Sequence, residues 1–544
     1  MKIVNYSVTV CALLFLLTLL SCERLTEKVG PLLALNGDPY FGETWVGEKI
    51  TRSFVLTNNG DEQASGLTLQ LPAGYTSSKG TTLGNVAPKD SLVFDVTFAP
   101  TAAGIFNGDL LVKPTDNTTL NQALTGKAAD KVWDKCYGGS SSENLRAMIA
   151  TSDGGHLLVG SSLSPISGDK TQSSKGGPDY WVAKINANSD KVWDKTYGGD
   201  KEDYVMAALA TPDGGFLLGG FSLSNQSGDK TQISKGDSDY WVVKITANGD
   251  KQWDKTFGGS SYESLNSIAA TADGGYLLGG NSGSGVSGDK TQASKGSGGD
   301  FWVVKINGNG DKVWDKAFGG SGSEQLFNVL AVADGGFLLS GVSSSGISGD
   351  KSQGSKGLDD YWLVKINANG NKVWDKAYGG SDSEYNAKVI ATADGGFLLG
   401  GTGFSGISGD KTQATKGYWV IKINASGDKV WDQSFGGNYA GNFADMLLTS
   451  DGGFLLGGTS FSDISGDKTQ VSRGSEDYWI VKINANGDKV WDRTFGAKDE
   501  EYLYSLAATS DEGFLLGGNG GMSVSGDKTQ PSKGGYDCWI VKIR

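Results

Sequence analysis

From residue 131 to the end, apolar residues come in short runs closed off by Gly, Asp, Asn or Ser, and they do not recur at the spacing of an amphipathic helix. Such runs predict strands. In one stretch they place a strand at Ser264 to Thr271 before Asp-Gly-Gly, then Tyr276 to Gly280, Phe301 to Ile306 and Lys312 to Phe318, designated a, b, c and d. Upstream, residues 31 to 128 alternate apolar and polar positions at Thr51 to Thr57, Leu67 to Leu71, Leu92 to Phe98 and Asp109 to Lys113. Asn58-Asn59-Gly60 and Pro88-Lys89-Asp90 supply turns there, and the pattern predicts a small β-sandwich.

The strand pattern repeats. Trp-Asp stands at 133, 193, 253, 314, 374, 431 and 491, at intervals of 57 to 61 residues, so seven units of four strands are expected. The c–d connection, as in Thr246-Ala247-Asn248-Gly249-Asp250, suits a three-residue hairpin closed by Gly249 in the left-handed region. Carried straight along the hairpin, that register sets Tyr240 opposite Thr256 and Val243 opposite Trp253, with Trp241, Val243 and Trp253 on one face. It also pairs a c-strand lysine with the Asp of Trp-Asp, for example Lys184 with Asp194. Four-stranded sheets with aromatics at this period are the mark of a seven-bladed β-propeller, in which the Trp residues pack blade on blade rather than serve as sugar platforms. The first unit begins with its d strand and the last ends after c, so the N-terminal strand is expected to close the last blade.

The amino terminus adds an address. Lys2, a thirteen-residue apolar run from Val8 to Leu20 and then Ser21-Cys22 form a signal peptide, the run being too short for the roughly 20 residues a membrane span needs. Residues 1–21 are thus signal peptide, 22–30 a tether, 31–128 the sandwich and 129–544 the propeller. A net charge of −13 and a pI near 4.8 argue against nucleic acid as partner. The 84 glycines show no three-residue period and mark turns.

Three resemblances follow from these residues. Leu19-Leu20-Ser21-Cys22 resembles the lipobox of bacterial lipoproteins, which implies cleavage before Cys22, lipidation of its sulfur and a membrane anchor in the cell envelope, at the outer membrane or cell surface. The run from Val46-Gly47 through Phe54-Val55-Leu56-Thr57-Asn58-Asn59-Gly60 to Val96-Thr97-Phe98-Ala99-Pro100, Gly104 and Leu124-Thr125-Gly126 resembles Ig-like modules of the ASH/HYDIN type, implying a spacer or docking domain. The seven units are similar to the DGGY, DxWxxK and GxxxWxxxxGG repeats of secreted bacterial propeller proteins, which implies architecture and export more than an activity.

Candidate chemistry is sparse. Four residues past each Gly-Gly (Gly-Ala in the last unit) stand Glu143, Asp203, Glu263, Glu324, Glu384, Gly441 and Glu501, and the acids among them are expected either to ring the channel mouth as a binding face or to accept backbone N–H bonds within their own loops. The b–c loops carry Asp169, Asp229, Asp289, Asp350, Asp410, Asp467 and Asp527, each followed by Lys, a pattern of turns more than of calcium ligands. His156 alone makes neither a triad nor a metal site. No cofactor, metal or catalytic residue is expected, and no phosphate-binding loop is present. Cys136 and Cys538 are the thiols left in the mature chain, and the hairpin register sets them opposite each other, which predicts a disulfide. The sequence therefore reads as a non-catalytic surface lipoprotein presenting a propeller face to a glycan or protein ligand. A propeller-type glycan hydrolase or lyase, or a purely structural envelope protein, are the alternatives.

Overall fold

The computed structural model describes residues 28–115 and 118–544, and no helix occurs among them. The signal peptide and Cys22 lie outside the described residues. The chain divides into two compact units between Ala128 and Ala129.

In the first unit, Leu33–Gly37, Ile50–Asn58, Ser91–Phe98 and Tyr75–Ser77 form one sheet in that order. Tyr40–Trp45, Leu120–Ala129, Gly104–Lys113, Ala64–Gln70 and Thr82–Val86 form the other. Phe54, Leu56 and Phe94 of the first sheet share one buried cluster with Leu67, Leu110 and Leu124 of the second, so alternate positions of each strand face a common core. The turn after Ile50–Asn58 is fixed by Asn58, whose buried side chain accepts from Gly60 N at 3.0 Å and donates to Glu62 O at 2.7 Å.

The second unit holds seven four-stranded sheets. With those of the first unit, the described residues contain eight four-stranded sheets and one of five strands. A representative sheet runs a Glu263–Ala270, b Tyr276–Ser282, c Asp300–Ile306 and d Lys312–Phe318, each strand pairing with the next in antiparallel fashion. In the sheet that ends the chain, Glu501–Ala508, Phe514–Gly520 and Asp537–Ile543 receive their fourth strand, Lys131–Tyr137, from the start of the unit. Asp130 and Arg544 exchange both backbone bonds at the end of this pairing, at 2.7 and 2.9 Å. Leu145, Met148 and Leu158 of the first complete sheet share a core with Leu515 and Ile540 of the last, so the seven sheets close on themselves.

The c–d hairpin departs from the expected register for a physical reason. Its turn is the one expected: Thr246 N bonds Asp250 O at 2.9 Å and Gly249 sits at φ +82°. One residue on, however, a β-bulge leaves Gln252 without a partner, so Lys244 faces Trp253, Trp241 faces Thr256 and Tyr240 faces Phe257. Every position after the bulge moves to the other face. Trp253 therefore packs with Tyr240 and Val242 against Trp302 of the following sheet, while Trp241 and Val243 turn to the preceding one. Each sheet carries tryptophan on both faces, and that is how neighbours interlock. Tyr240 completes the contact, with its ring 4.8 Å from that of Trp302 and its hydroxyl bonded to Trp302 O.

The same bulge re-pairs the charges. Lys184 bonds Asp153, in the Asp-Gly-Gly turn between strands a and b, at 2.6 Å, and not Asp194. Asp194 instead accepts from Lys191, from Thr171 N and from the Trp181 indole, tying strands c and d to the b–c loop. The expected Cys136–Cys538 disulfide fails on the same ground. Cys136 faces Trp539 and Cys538 faces Tyr137, which turns the two sulfurs to opposite sides of the sheet, and both are buried free thiols.

Candidate functional site

The innermost strand of each sheet also bulges, always near its middle. The register shifts between Leu145 and Ala147, Val205 and Ala207, Leu265 and Ser267, Leu326 and Asn328, Tyr385 and Lys388, Phe443 and Asp445, and Leu503 and Ser505. A bulge frees a residue from its ladder and re-aims its side chain, and here the freed positions point into an open-ended cavity of about 370 Å³ lined by all seven innermost strands. They are Arg146, Met206, Asn266, Phe327, Ala444 and Tyr504, with Asn386 at φ +58° at the fifth. Next to each bulge, small polar side chains of neighbouring sheets take up backbone N–H groups: Asn519 Oδ1 accepts from Leu145, Ser267 Oγ from Val329 and Ser505 Oγ from Met148.

The lining is charged in a particular way. The Arg146 guanidinium lies over the Tyr504 ring at 4.8 Å, and no carboxylate of the described residues pairs with it. Lys388 pairs with Asp445 of the next sheet at 3.0 Å, and Asp445 also accepts from Leu506 N at 2.8 Å. Asn266 and Asn386 each donate one amide bond to a backbone carbonyl, Leu326 O and Phe443 O.

The acids expected at the channel mouth are elsewhere. Glu143, Asp203, Glu263, Glu324, Glu384 and Glu501 are fully buried, each at 0 % exposure. Glu143 shows their use: one oxygen accepts from Gly139 N at 2.8 Å and the other from the hydroxyls of Ser162 and Ser164, both at 2.6 Å. They are thus fasteners of their own loops, and the binding-face reading is corrected. Each meets a second buried acid, the first residue of the preceding sheet's c strand, in the pairs Asp537 with Glu143, Asp179 with Asp203, Asp239 with Glu263, Asp300 with Glu324, Asp360 with Glu384 and Asp477 with Glu501. Burial, reinforced by the like-charged neighbour, pushes Glu384, Glu501, Asp179 and Asp537 up to about 7. Where the sixth sheet has Gly441 in place of the acid, the partner position is Gly417.

The b–c loop aspartates bridge sheets. Asp229 accepts from Gly198 N at 3.1 Å and pairs with Lys175 of the loop before it, and Asp169, Asp289, Asp350, Asp410 and Asp527 pair likewise with Lys533, Lys235, Lys295, Lys356 and Arg473. Asp467 follows the shortened fifth unit and makes no such ion pair among the described residues. The lysine after each Asp, such as Lys170 or Lys230, is buried within its own sheet. His156 is buried with Nε2 3.2 Å from Ala508 O, and burial holds its pKa below the ordinary imidazole value. Among the described residues no cluster of three or more His, Cys, Asp or Glu is placed to hold a metal.

The channel residues were missed in the sequence, although a signal exists. When the seven units are aligned, the innermost strand, which holds Arg146, Met206, Asn266, Phe327, Ala444 and Tyr504, varies from unit to unit at most of its positions, whereas the c and d strands repeat closely.

No family model matches the chain. A curated relative, the regulatory protein FlaEY of Caulobacter vibrioides, is 22% identical over 218 residues, which is 37% of this chain and 23% of that protein, so the match spans about a quarter of the relative's length. Among solved structures, the Pan2 WD40 domain of Neurospora crassa matches with a TM-score of 0.41 at 9% identity, over 76% of this chain and 95% of that one. Sqt1 from Chaetomium thermophilum matches with a TM-score of 0.39 at 12% identity, over 76% and 98%. A puromycin hydrolase matches with a TM-score of 0.39 at 11% identity, over 74% and 52%.

Proposed function

We propose that this chain is a non-catalytic lipoprotein of the bacterial envelope, anchored through Cys22, whose seven-bladed propeller offers its axial channel to a glycan or protein ligand. The observation that carries the reading is the lining itself. In a unit copied seven times, the innermost strand, which supplies the channel lining, is the strand that differs most from unit to unit, and a scaffold alone has no need of that variation. Glycan hydrolysis usually draws on two carboxylates flanking the scissile bond, whereas the lining combines two cations with amides, aromatic rings, a hydroxyl and aliphatic side chains, which supports binding over cleavage. The sandwich of residues 31–128, read as an Ig-like module, then spaces the propeller from the membrane. The lipobox supports the anchor and a place at the outer membrane or cell surface.

A glycan and peptide array probed with the chain from residue 23 onward tests the ligand. Reproducible capture of one class supports the reading, and silence across both arrays overturns it in favour of a purely structural role. Detergent phase separation tests the anchor: Cys22→Ala should move the protein to the aqueous phase, and continued partitioning with detergent overturns lipidation.

A further inference from the structure

Resting on the proposed binding role, we infer that the channel holds a hexuronate, a sugar ring bearing a carboxylate, with Arg146 as the group that takes the carboxylate. Three observations on the lining converge on this chemistry.

The first is charge. The chain carries 61 acidic and 48 basic residues, and carboxylates are accordingly plentiful. Lysines throughout the propeller find them, in the turns at Asp153 and Asp213 and in the loops at Asp229 and Asp289. Arg146 does not. Its guanidinium rests on the Tyr504 ring, which desolvates one face and leaves the N–H edges free for a planar oxyanion. Lys388 is matched by Asp445 at 3.0 Å, so the net charge presented to the lumen by these three groups is positive within a strongly acidic protein.

The second is the rest of the wall. Asn266, Asn386 and Asn442 set amides around the same cavity as Phe327, Tyr502 and Tyr504. Amides pair with ring hydroxyls and aromatic faces take the C–H face of a pyranose, whereas a bare inorganic anion would use the amide N–H groups but leave the aromatic faces unused. The amide of Asn266 is fixed by its bond to Leu326 O at 2.7 Å, and its carbonyl oxygen, which accepts from Ser264 Oγ at 3.3 Å, keeps a second lone pair for a ligand hydroxyl.

The third is size. About 370 Å³ lies near the lower end of the range of ligand pockets, fitting one sugar or the terminal sugar of a chain and excluding a folded partner.

Calorimetric titration of the full-length protein in detergent decides the matter, using D-glucuronate, D-galacturonate, tri-galacturonate, D-glucose and benzoate in turn. We expect saturable binding of a uronate and none of glucose. Arg146→Ala and Arg146→Lys should each weaken it about tenfold or more, since lysine cannot reproduce a two-bond fork. Tighter binding of the trimer than of either monomer identifies a polymer end as the source, and equal binding identifies the free sugar. The inference is overturned if no uronate binds the wild-type protein, if Arg146→Ala with an unchanged melting temperature binds as well as wild type, or if benzoate or glucose binds as tightly. Array capture of a neutral glycan or a peptide that survives Arg146→Ala also overturns it while leaving the broader binding role standing. Silence in both titration and array removes the two together.

Discussion

Asp194 and its six counterparts explain why Asp follows Trp in every unit. The carboxylate is buried and accepts from the Trp181 indole at 3.2 Å, Thr171 N at 2.8 Å and Lys191 at 2.7 Å. Burial works to raise its pKa, but the bonds from Lys191, Thr171 and Trp181 outweigh that and hold it below the ordinary value. Asp194→Ala would strand a buried indole N–H and an ammonium, so a loss of about 3 kcal/mol is expected in guanidinium unfolding. A loss no larger than that of an exposed surface Asp would contradict the role. The two thiols behave oppositely to a disulfide: burial pushes Cys136 up to about 12 and raises Cys538 well above the ordinary thiol value. Iodoacetamide should leave both untouched in the native protein and add two groups after unfolding without reductant. A mass showing none in the unfolded, unreduced protein would mean they are bonded after all. These residue-level facts were partly legible. That Cys136 and Cys538 lie on neighbouring strands follows from the repeat, but which face each takes depends on a one-residue bulge that no side chain in Lys251-Gln252-Trp253 announces.

At the level of strands, the reading of c and d held because apolar alternation and the Gly249 turn specify them together, and Lys312–Phe318 falls where it was expected. In the first unit, Thr82–Val86 and Tyr75–Ser77 escaped notice because they are short and half polar. The innermost strands were legible as strands yet not as a lining, since their bulges break the period-two pattern at the residues that reach the cavity. The interlock between sheets can be probed directly. Trp302 is fully buried between two sheets, and Trp302→Ala should cost about 3 to 5 kcal/mol, read by denaturant unfolding. Removing residues 131–137 would expose the edge of Asp537–Ile543, and such a chain is expected to elute as oligomers where the intact protein does not. A truncated chain with the same elution as the intact one would show that this strand is dispensable.

Across the whole molecule the buried acids make stability depend on pH. Asp179 and Glu384 are raised to about 7 and Asp300 and Asp477 to about 6, burial being the main cause, so their contribution is complete below the unfolded values near 4 and is lost as pH rises through 6 to 7. Turn aspartates act at the other end. Lys184 and Thr151 hold Asp153, and Thr271 and Lys305 hold Asp273, at about 2, and their contribution is lost as pH falls below about 4. Lys170 and Lys351, lowered to about 8 by burial, restore stability only above pH 8. The melting temperature should therefore peak between about pH 4 and 5 and pass through a minimum between about pH 7 and 8, as scanning calorimetry would show. A melting temperature that stays flat or climbs from pH 5 to 7 would mean the acid pairs do not titrate as described.

One joint takes a smaller part in this cycle, through Asp467, which burial raises. Between the fifth and sixth sheets Gly417 and Gly441 replace the acid pair, the outer loop bridge to Asp467 is missing, and Lys388 with Asp445 crosses near the lumen instead. That seam gains least in acid and loses least near neutrality. The weakest link of the ring should therefore change place with pH, lying at this joint when the others are protonated and at the doubly acidic joints when they are not. Hydrogen exchange resolved by mass spectrometry would follow the shift as faster exchange in Asn442–Leu448 at pH 4.5 and in Glu384–Ala391 or Glu501–Ala508 at pH 7.5. A propeller that opens at a different blade boundary in acid and in neutral surroundings would admit a channel ligand by a different path in each.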